Sequence, residues 1–421
     1  MSDTTTSVLD TDRGHELAQR LFLAGVGAFE LLTVELGVRL GLYETLRRGG
    51  ALTATELAAA AGIGERYALE WLEQQAVASL LGVDDVRRPA NERRYHLPIG
   101  HDEVLLDPES LRFVAPIAGF LVSFNSVVDD LVDAFQTGSG LPYRRYGAAM
   151  RDSQGAFNRP LFTHVLTGDW LPNAIPEQHR RLASDTPSRV ADLACGVGWS
   201  SIALARAYPS ARVDGIDSDA ASIEDANKQA AEAGLSDRLV FRIGDAEKVL
   251  PDRGYDAVFI VEALHDISQP VAALSAARRI LTDGGMCIVM DEKVADEFTA
   301  PGDEVERFMF AASVLHCLPV GLAEQPSAGT GTMLRRSTLG PVRQRGGLPL
   351  GHGPRGRARL LPPLPSRPLS KERWALRARR RHGSRRTPPY CCSRRATRCS
   401  GSWDGSGPSR SWRSRGGSPF R

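Results

Sequence analysis

The stretch Val190-Ala-Asp-Leu-Ala-Cys-Gly-Val-Gly-Trp-Ser-Ser201 decides the fold. A short apolar, strand-like run carrying Asp192 passes through Gly196 and Gly198, and a helix opens over 199–208. Glycine permits the tight turn and lets a ligand approach main-chain N–H groups with no Cβ in the way. The helix that follows offers unpaired N–H groups and a positive dipole end to whatever lies over the turn. A dinucleotide fingerprint would want Gly or Ala at position 201, where this chain has Ser201. It would also gain nothing from Asp192, because a pyrophosphate repels a carboxylate.

Downstream, strand and helix alternate, the mark of a doubly wound parallel sheet. Strands are expected at 190–194, 212–216, 239–243, 255–261 and 286–290, with helices at 199–208, 221–233 and 271–281 between them. Each strand carries an acid at or near its carboxyl end: Asp192, Asp217, Asp245, Glu262 and Asp291. Ligands of open α/β sheets bind outside that edge. Asp217 lies 21 residues after Gly196, the spacing at which a carboxylate accepts both ribose hydroxyls of an adenosine. The competing reading makes it the cap of the next helix, a duty Ser218 or Asp219 could also perform.

Upstream, residues 14–48 carry apolar residues every three or four positions (Phe22, Val26, Phe29, Leu32, Leu36, Leu40) as one helical face. Thr53 with Glu56 forms a capping box, Gly62 stops that helix, and 65–80 supply a second one before a basic hairpin at 86–97. This is the winged-helix pattern, whose default partner is DNA. Its second helix offers only Arg66 as a cation, beside Glu65, Glu70 and Glu73, so the charge argues for dimerisation instead. Residues 108–182 are helical by pattern. Tyr146, Phe157, Phe162 and Trp170 within them could roof a ligand pocket or simply pack helices.

A formal charge of +2 over 421 residues conceals an asymmetry. Residues 335–421 hold 23 basic and 2 acidic residues, and residues 1–334 hold 29 basic and 48 acidic. The acidic body argues against a nucleic-acid surface. Cys195, Cys287 and Cys317 lack metal-ligand spacing, so no metal is expected; they fit reduced thiols in a cytoplasm. The apolar stretch 21–42 is interrupted by Glu30, Glu35 and Arg39, which argues against a membrane span. Residues 335–421 lose apolar periodicity and read as disordered by composition. With 26 Arg against 3 Lys in residues 1–334, coding is GC-rich, and a shifted GC-rich frame yields such a mixture. Reading 342–370 one base later permits a helix end and a closing strand pair, so the expectation is an out-of-frame tail and a sheet gaining at most one short strand, from residues 328–350.

The order Asp192-x-x-x-Gly196-x-Gly198 resembles motif I of class I S-adenosylmethionine-dependent methyltransferases. The resemblance implies that the glycines accommodate the methionine part of the cofactor and that Asp192 holds its amino group. Gly244-Asp245-Ala246 resembles the position whose Asp takes the adenine amino group. Ala194, Ala246 and Glu262 complete the expected cofactor contacts at the same strand ends. Further on, Val261-Glu-Ala-Leu-His-Asp-Ile267 is similar to small-molecule O-methyltransferases with a winged-helix dimerisation domain. That likeness implies His265 as general base and Asp291 as the acid that orients it. Phe157, Asn158 and Phe162 approximate the family's Phe-Asn-x-x-Phe segment with one extra residue. Two positions depart from the family: Ile267 replaces a Trp, and Gln269-Pro270 replaces a charged loop. A helix-start histidine bonded only to backbone is the plainer account of His265.

The expected fold class is therefore α/β. A doubly wound, mostly parallel, Rossmann-like methyltransferase sheet (183–334) follows a disordered start (1–13), a mainly α winged-helix domain (14–107) and a helical connector that roofs the substrate (108–182). The tail (335–421) completes the chain. The expected activity is methyl transfer from S-adenosyl-L-methionine to a small, partly apolar molecule, by a homodimer joined through its N-terminal domain, without nucleic-acid or membrane partners. The alternative is a winged-helix transcriptional regulator that binds the cofactor without catalysis.

Overall fold

Thr53 sets the frame of the N-terminal region, its hydroxyl accepting the Glu56 N–H while the Glu56 carboxylate accepts the Thr53 N–H. The computed structural model describes residues 4–248, 254–292, 294–346 and 357–360. These belong to the first of two compact units, Met1–Ser366; the second, Arg367–Arg421, lies outside the described residues. The expected 14–48 helix is two helices, α1 (Thr4–Arg39) and α2 (Leu42–Gly49), because Gly41 adopts φ 64° between them. Apolar periodicity runs through such a break unseen. After them come α3 (Ala54–Ala61), α4 (Glu65–Val77) and a two-stranded antiparallel wing, β1 (Gly82–Val83) with β2 (Tyr95–His96). Leu42, Tyr43, Leu46, Leu57, Leu72 and Tyr95 form its core, and the Trp71 indole donates to the Thr33 carbonyl of α1 at 3.0 Å.

The charges of this domain are internally spent. Arg66 pairs with Glu70, Arg93 with Glu73 at 2.6 Å, Arg94 with Glu56 at 2.7 Å, and Arg87 with Asp85 at 3.0 Å. The apolar face of α1, by contrast, has no cover among the described residues: Phe22 is 71% exposed and Phe29 72%. Residues Asp12–Arg39 are long and apolar enough to cross a membrane by length and composition, an 18-residue window within them reaching a mean hydropathy of 1.8. Val34, near the helix's carboxyl end, is buried in the winged-helix core.

Helices α5 (Asp102–Leu105), α6 (Ile117–Ser126), α7 (Val128–Thr137), α8 (Gly147–Leu161), α9 (Leu171–Ala174) and α10 (Pro176–Leu182) lead to the sheet. A π-helical stretch, Phe162–Trp170, joins α8 to α9. The sheet is then built from β3 (Ser188–Leu193), β4 (Ala211–Asp217), β5 (Leu239–Ile243), β6 (Tyr255–Val261) and β7 (Leu281–Met290). Its helices are α11 (Trp199–Ala207), α12 (Ala220–Glu232) and α13 (Pro270–Ile280). With a last strand, β8 (Arg357–Leu360), the strand order is β5-β4-β3-β6-β7-β8, all parallel. Neighbouring residues of a strand face opposite sides, so Val190 and Phe259 enter one core layer while Ala191, Val258 and Ile260 enter the other.

Beyond the sheet, α14 (Glu304–Ala312), a π-helical turn Ser313–Cys317 and α15 (Leu318–Gly321) fold back over its carboxyl edge. Two elements differ from expectation. Helix α16 (Arg336–Arg345) falls in the stretch read as tail, with Val342 packed on the core beside α13. The added strand β8 (Arg357–Leu360) lies past the expected 328–350 window and runs parallel to β7. The remainder of the tail reading falls on residues outside those described.

Candidate active site

Motif I becomes a loop whose backbone is set by charge. Gly196 (φ 51°) donates its N–H to Asp217 Oδ2 at 2.8 Å, tying the glycine turn of β3 to the end of β4. The other Asp217 oxygen accepts the Asp219 N–H at 2.8 Å. Helix α12 is capped by Asp219, whose carboxylate accepts from Ser222, so Asp217 is not needed as a cap. Burial holds Asp217 above the usual carboxylate range, its backbone donors working against the shift. Asp192 is fully buried beneath the loop, where one of its oxygens accepts from Ser200 and Ser201 Oγ at 2.6 Å each. Its Oδ1 has no partner among the described residues, and burial pushes the carboxyl up to about 6.

Gly198 (φ 86°) precedes α11, and a Cβ there would lie 2.5 Å from the Phe241 ring. Gly198→Ala should therefore combine left-handed strain of about 1–3 kcal/mol with a clash. Its melting temperature should fall and cofactor affinity should weaken in calorimetry; an unchanged protein would contradict the rigid-loop account.

The loop opens onto a cavity of about 400 Å³ at the carboxyl ends of β3, β4, β5 and β6. Ala194, Gly196, Gly198, Asp217, Asp245, Ala246 and Glu262 all line it. Asp219, Glu247, Asp266 and Glu324 add further acid, against Arg144 and Arg151, so the lining carries an excess of carboxylates suited to a sulfonium cation. Glu262 adopts φ 50° and donates its N–H to the Met290 carbonyl at 2.7 Å. Burial, with Glu292 and Asp291 close by, holds its carboxyl far above the usual range.

His265 and Asp291 meet although 26 residues separate them: Nδ1 lies 2.5 Å from Asp291 Oδ1. A carboxylate oxygen accepts, so Nδ1 carries a proton, and Nε2 is the end turned toward Asp266, whose Oδ1 lies 3.4 Å away. Burial depresses the imidazole, but the carboxylates of Asp291 and Asp266 outweigh it and hold His265 well above its ordinary value. His265 itself is 4% exposed; its neighbour Asp266 forms the cavity wall.

Of the four aromatic candidates, Phe162 lines the cavity. Trp170 is in the core beneath the sheet. Phe157 packs edge-on against Phe120 at 5.9 Å. Tyr146 donates to the Leu315 carbonyl at 2.7 Å, its ring 4.7 Å from His316. Sequence reasoning missed Arg151 and Gln154 in the wall, and the turn that places His316 and Cys317 near His265. Nothing in their local sequence distinguishes them from ordinary helix residues.

Comparison with known proteins agrees with this architecture. Residues 184–318 match the family described as a methyltransferase domain, and residues 28–106 match the Rv2258c-like winged HTH domain. L-tyrosine C(3)-methyltransferase of Streptomyces lavendulae is 27% identical over 291 residues, covering 66% of this chain and 75% of that one. The probable chloroplastic tocopherol O-methyltransferase of Oryza sativa subsp. japonica is 34% identical over 118 residues, covering 28% of this chain. The match spans 31% of that relative's length. The structure of the mitomycin 7-O-methyltransferase MmcR superposes with a TM-score of 0.57 at 19% identity, covering 82% of this chain and 97% of that one. With a glycine-turn cavity at the sheet's carboxyl edge and a winged-helix domain before it, the chain carries a methyltransferase domain over residues 184–318 and an Rv2258c-like winged HTH domain over residues 28–106, in a fold similar to that of MmcR.

Proposed function

We propose that the protein transfers the methyl group of S-adenosyl-L-methionine to a hydroxyl of a small, partly apolar acceptor. The carrying observation is the buried His265–Asp291 pair beside the cavity wall. In this reading the cofactor lies over Gly196 and Gly198, with Asp217 on its ribose and Asp245 on its adenine. Asp192 reaches its amino group from beneath the loop. Methyl transfer is an in-line displacement, so the protein contributes mainly by orienting the two partners. A hydroxyl remains a poor nucleophile until a base takes its proton. His265 Nε2 is that base, and Asp291 fixes the tautomer and steadies the imidazolium that results. Incubation with labelled cofactor and a library of phenols and amines tests the reading: label on amines alone would refute O-transfer.

The rate should rise with pH as His265 loses its proton, with the midpoint above about 6.5. The groups facing it are Asp291, Asp266, Glu262, Glu292, His316 and Cys317. Protonated His265 stabilises the fold fully below its unfolded value, and that contribution is lost as pH rises through the raised one. Glu262 and Glu292 are raised by burial, Glu292 to about 7, and they favour the fold when neutral, which acts in the same direction. Activity should climb while melting temperature falls. A rate maximum on the acid side would overturn the base assignment.

The exposed apolar face of α1 supports a homodimer joined through the N-terminal domain, and the free buried thiols of Cys195, Cys287 and Cys317 fit work in the cytoplasm. Phe22→Asp with Phe29→Asp should turn dimer into monomer in analytical ultracentrifugation; a dimer that persists would place the interface elsewhere. The regulator reading is disfavoured by the wing and α4 cations, which are paired with Asp85, Glu70, Glu73 and Glu56.

A further inference from the structure

Three donor atoms of different chemistry converge behind the cavity wall. One ligand atom from each of His265, Asp266 and Cys317 lies within 4.8 Å of the other two. Nε2 and Oδ1 are 3.4 Å apart, the separation that tetrahedral bonds of about 2.1 Å to one ion would produce. Asp266 Oδ1 is buried and makes no hydrogen bond among the described residues, its contact with Nε2 being this long ion pair. Asp291 on Nδ1 supplies the outer carboxylate that typically orients a metal-binding histidine. Cys317 comes from the turn after α14, held against this segment as Thr330 Oγ1 donates to the His265 carbonyl at 2.8 Å and Ser268 Oγ to that of Gly321 at 2.9 Å. Three protein ligands leave a fourth position, and Asp266 gives an ion a route from the cavity.

We propose that His265, Asp266 and Cys317 form an inhibitory site for a soft divalent cation, Zn²⁺ being the fitting one. Thiolate and imidazole select zinc over magnesium, which prefers an all-oxygen octahedron. Binding would release the thiol proton and any proton on Nε2 to solvent, and would occupy the lone pair needed to deprotonate the acceptor. The inhibitory half of the proposal rests on the reading of His265 as base; the site itself does not.

The test uses the full chain carrying Cys391→Ser, Cys392→Ser and Cys399→Ser, so that thiols beyond the described residues do not compete. After chelator treatment, calorimetry should find one Zn²⁺ per chain and no Mg²⁺. Cys317→Ser and Asp266→Asn should each weaken zinc by at least the roughly 10–100-fold that a lost supporting contact costs. One equivalent of zinc should stop methyl transfer, chelator should restore it, and Cys317→Ser should keep turnover while tolerating the metal. Absence of zinc binding, or binding that both substitutions leave intact, overturns the site. Zinc bound here with turnover undiminished overturns its inhibitory effect. Should the chain methylate nothing, calorimetry still decides the site, so the two failures are distinguishable.

Discussion

His265→Ala should lower turnover by roughly 10²–10⁴-fold and leave cofactor affinity nearly intact. The expectation follows from position. Asp291 at 2.5 Å occupies Nδ1, so the other end of the ring faces the side where Asp266 meets the cavity. The glycine loop and the carboxylate of Asp217 belong to β3 and β4, and the substitution does not touch them. Asp291→Asn separates two contributions. An amide can still contact the ring, yet it carries no charge to steady the imidazolium, so turnover should fall and the pH midpoint should move down. Titration by calorimetry alongside single-turnover rates checks both. Equal activity of wild type and His265→Ala across the pH range would show that the cavity works by positioning alone.

The sheet was readable because its inner strands are buried on both faces and its strands end in acids. The bounds of β5 and β6 agree with expectation, and β3, β4 and the inner half of β7 agree to within two residues. The break at Gly41 was not readable, since apolar residues continue on both sides of it and only the backbone angle marks the turn. Helix α16 escaped for a different reason: Pro341 and several arginines hide the packed side chain of Val342. In the site, the residues found early are those on successive strand ends, which the topology brings together automatically. Those missed arrive by tertiary contact. Cys317 approaches His265 across 52 positions, and no local pattern announces that pairing. Trp170 illustrates the converse, because an aromatic in a helical pattern carries the same signal whether it faces a ligand or a core.

Asp217→Ala should weaken S-adenosylmethionine binding by on the order of 10²–10⁴-fold, from two charge-assisted bonds of about 1.5–3 kcal/mol each. The structure gives this carboxylate a second duty, because Oδ2 holds the Gly196 N–H and Oδ1 holds that of Asp219. Loss of affinity alone would thus not distinguish a ribose contact from a loosened loop. A cofactor product analogue lacking the ribose 2′-hydroxyl separates them. If Asp217 accepts that hydroxyl, wild type should bind the deoxy analogue more weakly than S-adenosylhomocysteine. The alanine variant should then bind the two with much closer affinities, since the partner of the missing group is already gone. If Asp217 acts only on the backbone, the penalty for the missing hydroxyl should be the same in both proteins. That outcome would leave the carboxylate as the clasp of the glycine turn, and the search for the ribose partner would move to Asp219, the other β4-end acid in the cavity wall.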